Sequence, residues 1–315
     1  MRIATIDIGT NTVLLLVAEE GPDGELVAVE EHATITRLGE NVDRTRTLGE
    51  EAILRTKTCL SSYAAIVKRL GASRVAVVGT SAMRDAMGGE RIREHVSASF
   101  GVDARVISGD EEARLTFAGA LSGLPYTSSS GELAVFDIGG GSTEIVRGTL
   151  GQKKSAAVVA YAHSFDVGSV RMTERHVKSD PPISAEREAI TCDVMSSLAS
   201  LAPLASGQVP VAIAGTMTTL AAVSLKMETY DGARVHGHCI TTSELRRVVE
   251  ELAALPLSAR QKVAGLEPKR ADVIVAGGLV ALAVLEKLEA DSVVISDRGV
   301  RWGLAVAFQG MPATL

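Results

Sequence analysis

The sequence predicts an α/β fold built twice, and three observations predict it. Two segments nearly repeat one another: Ile6-Asp7-Ile8-Gly9-Thr10-Asn11-Thr12 and Phe136-Asp137-Ile138-Gly139-Gly140-Gly141-Ser142-Thr143. Each closes an apolar run (residues 3–6 and 133–136) and leads into a second strand-like run (residues 13–17 and 144–147). The pattern is that of a β-hairpin with a glycine-rich turn and an aspartate at its mouth, and such internal repetition is a property of the whole fold. Strand and helix patterns also alternate through both halves of the chain. Finally, 315 residues with 46% hydrophobic content can bury two cores.

The elements follow in order. After the first hairpin, residues 49–70 place apolar side chains at helical spacing, and Gly71 follows as a C-terminal stop. Residues 74–78 read as a buried strand entering Gly79-Thr80-Ser81-Ala82-Met83-Arg84-Asp85. A polar helix over 90–99, a strand over 104–107 and a helix over 110–121 come next. Residues 122–132 (SGLPYTSSSGE) have the Gly, Pro and Ser of a linker, and the second hairpin starts directly after them. In the second half, a buried strand over 209–214 runs into Gly215-Thr216-Met217-Thr218-Thr219, which opens a helix. Longer helices are expected over 185–201, 243–254 and 271–288, and a strand over 292–295 ends in Ser296-Asp297-Arg298-Gly299. Residues 300–308 form a closing helix, which in a duplicated fold packs back on the first domain. The expected domains are therefore 1–122 with 299–315, and 123–298.

Composition excludes several classes of function. Aromatic residues make up 3% of the chain, too few for a platform that stacks single-stranded nucleic acid. A net charge of −6 disfavours a general nucleic-acid or anionic-membrane surface. Cys59, Cys192 and Cys239 lie far apart with no ligand spacing, as expected in a reducing interior. The N-terminus enters the first strand directly, without the pattern of a signal peptide. No uncharged apolar stretch reaches the ~20 residues that span a bilayer. A soluble, cytoplasmic protein is expected, with neither nucleic acid nor membrane as partner.

Chemistry is concentrated in the turns. Glycines let an anion approach backbone N–H groups closely, Thr and Ser hydroxyls add donors, and an aspartate can hold a divalent cation that a phosphate also binds. One Asp-x-Gly-x-x-Thr is ordinary turn punctuation; two copies in matching strand contexts suggest a fold that grips phosphates between its halves. Gly215 and Thr216, between a strand and a helix N-terminus, form a third anion site by backbone geometry and dipole. In Ser108-Gly109-Asp110-Glu111-Glu112-Ala113-Arg114-Leu115, Ser108 with Glu111 matches a capping box, the reading this segment favours by itself; the alternative is that one glutamate takes a proton from an attacking water. Arg84 reads either as an exposed partner of Asp85 or as a clamp on phosphoryl oxygens. Arg298 and Arg301 either extend a basic track or start a solvated helix. His236 and His238, two apart, share a face if they lie in a strand; without a third ligand nearby they read as buried, hydrogen-bonded histidines. The chain has no Walker lysine loop, no His-Glu-x-x-His and no Gly-x-Ser-x-Gly elbow.

Taken in order, DIGTNT, RLGENVD (residues 37–43), GTSAMRDA, SGDEEARLTF, DIGGGSTE, GTMTTLAA, VHGHCIT and SDRGVRWG span residues 3–303. Together they resemble the exopolyphosphatase / guanosine pentaphosphate phosphatase family. The resemblance implies two ribonuclease-H-like, actin-like ATPase domains, each a mixed five-stranded sheet flanked by helices, closing over a phosphate-binding cleft. It implies Glu112 as the catalytic glutamate and Arg84 as an arginine that contacts the phosphate chain. Asp137 and Glu144 match acidic residues that serve Mg²⁺ binding and water positioning. Gly139, Gly140, Gly141 and Ser142 match the phosphate loop, Asp7, Thr10 and Asn11 the first phosphate loop, and Gly215 and Thr216 the superfamily's nucleotide-binding turn. A homodimer is implied as well.

The chain departs from the family at Trp302, where an acidic residue often follows the arginine matching Arg301. It ends at Leu315, where longer members carry further helical domains, and so resembles a short, two-domain member. The expected activity is hydrolysis of terminal phosphoanhydrides of polyphosphate, preferably short chains, with Asp7, Asp137 and Glu144 as ligands of Mg²⁺ (or Mn²⁺, which hard oxygen ligands tolerate). Alternatives are a pppGpp phosphohydrolase, a kinase or ATPase of the same fold, and a non-catalytic sensor of polyphosphate or guanosine polyphosphates.

Overall fold

A computed structural model describes residues 1–22, 24, 26–126, 130–151 and 158–309. The chain packs as two units, Met1–Gly119 with the segment from Gly299, and Ala120–Arg298. Part of the linker expected over 122–132, residues 127–129, lies outside the described residues.

The first unit contains β1 (Arg2–Ile8), β2 (Thr12–Glu20), β3 (Leu26–Ile35), α1 (Val42–Thr45), α2 (Glu50–Leu70), β4 (Arg74–Gly79), α3 (Ser81–Asp85), α4 (Glu90–Phe100), β5 (Ala104–Val106) and the helix α5 (Gly109–Leu121). Its sheet order is β3-β2-β1-β4-β5. The hairpin strands are antiparallel, whereas β1, β4 and β5 are parallel. α2 follows its sequence signals closely: Glu50 and Glu51 occupy the first turn, Lys68 and Arg69 the last, and Gly71 ends it at φ 64°.

The second unit contains β6 (Leu133–Ile138), β7 (Thr143–Thr149), β8 (Val158–Phe165), α6 (Ser169–His176), α7 (Ser184–Ser197), β9 (Val211–Ile213), α8 (Ala214–Ser224), α9 (Gly232–Val235), β10 (Cys239–Thr241), α10 (Thr242–Ala253), α11 (Leu257–Arg260), α12 (Ile274–Leu288) and β11 (Ser292–Ile295). Its sheet runs β10-β11-β9-β6-β7-β8. Removing β10 leaves the strand order of the first unit, with β6, β7, β8, β9 and β11 in the places of β1, β2, β3, β4 and β5. The implied five strands per sheet therefore hold for the first unit, while the second has six, the short antiparallel β10 being added at the edge of β11. α12 is buried on nearly every side, which is why its sequence reads as a continuous apolar run rather than a stripe.

The closing helix α13 (Val300–Gln309) packs on β1 and β2 within the first unit. Trp302 joins Leu16, Ala18, Leu26 and Ala305 in a small core, and the Thr5 hydroxyl donates to the Arg301 carbonyl at 2.8 Å. α13 also meets α5 at glycines: a Cβ on Gly119 would lie 2.1 Å from the Gly299 oxygen, and one on Gly303 would lie 1.9 Å from the Leu115 oxygen. Gly303→Ala is therefore expected to cost about 1–3 kcal/mol by overpacking, read as a lowered Tm in thermal unfolding; an unchanged Tm would mean the two helices separate freely.

Candidate active site

In the first unit, the parallel strands β1, β4 and β5 end on one edge of the sheet, where α/β proteins bind ligands. The turn after β1 is closed by the Gly9 N–H donating to the Thr12 carbonyl at 3.1 Å. A Cβ on Gly9 would approach that oxygen to 2.9 Å, so the tight turn favours glycine. The Asn11 carbonyl accepts the N–H groups of Thr36 and Arg37 at 3.0 Å, and the Thr10 carbonyl accepts that of Gly39 at 2.8 Å. A trans peptide directs its N–H opposite its C=O. The N–H groups of Asn11 and Thr12 thus face away from the 36–39 segment, which holds the turn by its carbonyls.

Arg84 and Glu112 meet at the neighbouring strand ends. Arg84 Nη1 donates to the Ile107 carbonyl and to Glu112 Oε2, each at 3.1 Å, and Arg84 Nε lies 3.5 Å from Asp85 Oδ1. Arg84 is thus both the partner of Asp85 and a bridge to the glutamate. Glu112 is 8% exposed in the first turn of α5. Its neighbour Glu111 faces outward to Arg105 at 2.8 Å, and the Glu111 N–H donates to Ser108 Oγ at 3.2 Å. The cap at Ser108 exists, and it leaves Glu112 as the buried carboxylate. Asp7 is buried near the end of β1.

The second unit builds its loop by the same logic. The Gly139 N–H donates to the Ser142 carbonyl at 3.0 Å. The first turn of α6 then takes up the loop's carbonyls: Ser169 N–H donates to Gly139 O at 3.0 Å, and Val170 and Arg171 N–H donate to Gly140 O at 2.9 and 3.0 Å. Gly168 makes room for this contact, since a Cβ there would lie 2.5 Å from Gly140 O. The N–H groups of Gly140, Gly141 and Ser142 consequently face away from α6, and among the described residues no acceptor takes them. A run of forward-facing amides of this kind is an anion nest.

Asp137 and Glu144 are direct cross-strand partners, so their side chains rise on one face of the hairpin. Glu144 is 3% exposed and its Oε1 accepts the Ser164 hydroxyl at 2.7 Å. In the first hairpin the residue opposite Asp7 is Leu14, so the paired carboxylates belong to the second hairpin alone. Like charges across a strand pair repel; a divalent cation converts that repulsion into ligation, and hard carboxylate oxygens suit Mg²⁺. Among the described residues no three His, Cys, Asp or Glu side chains form a cage. Two carboxylates fit Mg²⁺, which keeps waters and takes its other ligands from substrate phosphates.

Gly215 and Thr216 open α8, where unpaired helix amides and the dipole favour an anion. Thr216 Oγ1 donates to the Ile138 carbonyl at 3.1 Å, tying this helix end to the last residue of β6. Ala214, at φ 66°, turns the chain from β9 into α8. A residue the sequence did not single out completes this corner: Arg270. A Cβ on Gly215 would sit 1.9 Å from Arg270 Nη1, so the guanidinium lies directly against the turn. Burial pushes the Arg270 pKa down, while Glu267 and Tyr230 act to raise it. Its only sequence signal is a basic residue before an apolar helix, which is too common to notice.

Other expectations land elsewhere. Arg301 donates through Nε and Nη2 to Glu31 Oε2 at 3.0 and 2.6 Å, with Trp302 Nε1 3.4 Å from the same oxygen. Arg298 lies against Gly123 and donates to Ser122 Oγ at 3.4 Å. Each makes these contacts within its own unit. His236 follows α9 and His238 precedes β10, so the two do not share a strand face; His236 Nδ1 lies 3.1 Å from Asp297 Oδ1. Cys59, Cys192 and Cys239 are free thiols. No helix among the described residues is long and apolar enough to cross a membrane.

A fold built twice, with a glycine-rich hairpin at the same edge of each sheet, defines a protein of the actin-like ATPase fold. The chain belongs to the Ppx/GppA phosphatase family, which it matches over residues 16–309. It is 37% identical over 325 aligned positions to exopolyphosphatase 2 of Mycobacterium tuberculosis, covering 98% of this chain and 99% of that one. A guanosine-5'-triphosphate,3'-diphosphate pyrophosphatase of Vibrio atlanticus is 29% identical over 96% of this chain and 58% of its own length. The Aquifex aeolicus PPX-GPPA enzyme superposes with a TM-score of 0.81 at 34% identity, covering 98% of this chain and 99% of that one.

Proposed function

We propose that this protein is an exopolyphosphatase, hydrolysing the terminal phosphoanhydride of polyphosphate, with short chains preferred. The observation that carries the proposal is the second hairpin: three forward-facing amides, at Gly140, Gly141 and Ser142, beside the Asp137–Glu144 carboxylate pair. Phosphate oxygens need donors and counter-charge, and phosphoryl transfer depends mainly on positioning and electrostatics. Thr10 and Asn11 of the first hairpin, Gly215 and Thr216 at α8, and the cations Arg84 and Arg270 supply further donors. Glu112 is assigned the base: its ionised carboxylate, with Arg84 as counter-ion, takes a proton from water as the water oxygen attacks the terminal phosphorus. The bond to the bridging oxygen breaks, its electron pair leaves on the shortened chain, and orthophosphate is released. Asp137 and Glu144 would hold Mg²⁺ or Mn²⁺, which when bound supplies charge stabilisation at the phosphoryl oxygens. A cytoplasmic homodimer belongs to the same proposal.

The name of the Vibrio relative makes pppGpp the competing substrate. Orthophosphate release with Mg²⁺ is to be measured on short polyphosphate, long polyphosphate and pppGpp side by side. Faster release from short polyphosphate is expected. Release from pppGpp alone would move the protein to guanosine polyphosphate hydrolysis, and tight binding without release would leave a sensor.

A further inference from the structure

The geometry points to Arg171 as a positioning residue that holds the glycine-rich loop in its phosphate-binding orientation. This rests on the proposal that the loop takes phosphate. Three consecutive carbonyls, those of Gly139, Gly140 and Gly141, must be turned away from the ligand for the next three N–H groups to face it. The backbone of α6 holds the first two. It has no further N–H aimed at the third: Gly141 O instead accepts Arg171 Nε at 2.6 Å. The carbonyl of the Gly141–Ser142 peptide, and with it the direction of the Ser142 N–H, is therefore held by a side chain rather than by a helix amide.

The surroundings suit that task. The Arg171 side chain is 14% exposed, and its Nη2 lies 3.3 Å from Asp166 Oδ1, whose own side chain is 85% exposed. The Asp166 contact is a surface ion pair of small value. A charge-assisted bond to a carbonyl also polarises that peptide and strengthens its N–H as a donor. Lysine carries no planar fork and cannot reproduce an Nε–H bond. In the first hairpin the matching carbonyl, that of Asn11, is held by the backbone N–H groups of Thr36 and Arg37 instead.

The test compares wild type, Arg171→Met, Arg171→Lys, Arg171→Ala and Asp166→Asn in tripolyphosphate binding by calorimetry, phosphate release and thermal unfolding. Arg171→Met is expected to lower kcat/KM by about 10²–10³-fold, as for loss of one oriented amide donor, and to weaken tripolyphosphate binding while Tm changes little. Arg171→Lys is expected to fold as wild type without restoring activity, Asp166→Asn to leave activity unchanged, and added guanidinium ion to restore part of the activity of Arg171→Ala. Native kcat/KM in Arg171→Met, or losses of activity and Tm that Arg171→Lys repairs together, would overturn the role. If wild type binds tripolyphosphate without releasing phosphate and Arg171→Met weakens that binding, the hydrolase proposal fails and the role of Arg171 stands. Wild type that binds no tripolyphosphate overturns both.

Discussion

Glu112→Gln is expected to lower turnover by about 10²–10⁴-fold, the usual worth of a positioned general base, with KM changed only a few-fold. The amide keeps the size of the carboxylate and an oxygen that can still accept from Arg84, whose Nη1 lies 3.1 Å from Glu112 Oε2. Its oxygen cannot take the proton of an attacking water at neutral pH, so binding survives while the chemical step does not. The control is the adjacent residue. Glu111 faces Arg105 across an exposed ion pair at 2.8 Å, and such pairs contribute at most about 1 kcal/mol; Glu111→Gln should leave turnover nearly unchanged. Steady-state phosphate release with Mg²⁺ at saturating and limiting substrate separates kcat from KM. Near-normal turnover in Glu112→Gln removes the residue from the mechanism, and a large loss in Glu111→Gln would place the base at Glu111.

That choice between two adjacent glutamates shows where sequence stops and structure begins. Ser108, Glu111 and Glu112 form one string in which capping is the more legible reading and catalysis the second. Only the fold separates them, by burying Glu112 beside Arg84 and turning Glu111 to solvent. The hairpins, α2 and α12 were readable because repetition, end residues and apolar runs act locally. β3 was not: Glu30, Glu31 and His32 interrupt its pattern, since both faces of this edge strand meet partners from distant elements, Glu30 pairing with Arg69 and Glu31 with Arg301. β10 has only three residues, and its existence depends on pairing with β11 some fifty positions later. The helices expected over 185–201 and 271–288 are shorter in the structure, Ser184–Ser197 and Ile274–Leu288, because apolar spacing continues into the turns that flank them.

The site follows the same division. Glycine turns announce themselves, because the backbone conformation demands the residue. The groups that aim those turns do not, because Arg171 and Arg270 are ordinary basic residues until their contacts with Gly141 and Gly215 are seen. Two hairpins with nearly the same sequence also diverge at the register position opposite the aspartate, Leu14 against Glu144. The fold contains two glycine-rich turns, and that difference gives the second its paired carboxylates.

From that difference comes an expected loss of about 10²–10³-fold in activity for Asp137→Asn, since charge stabilisation by a bound metal is worth several kcal/mol. Asn keeps the shape and one oxygen, so the hairpin should fold. Relief of repulsion against buried Glu144 acts in favour of the folded state, so without metal the variant should melt at or slightly above the wild-type temperature. Adding Mg²⁺ should then raise the Tm of wild type, because a ligand that binds only the native state stabilises it, and should leave Asp137→Asn almost unmoved. Glu144→Gln should behave alike, with an additional small loss from weakening the bond accepted from Ser164 at 2.7 Å. The measurement is a Mg²⁺ titration followed by thermal unfolding and by phosphate release in parallel. Equal Mg²⁺ shifts in wild type and both variants would place the ion elsewhere, and the carboxylate pair would then have to act on water rather than on metal.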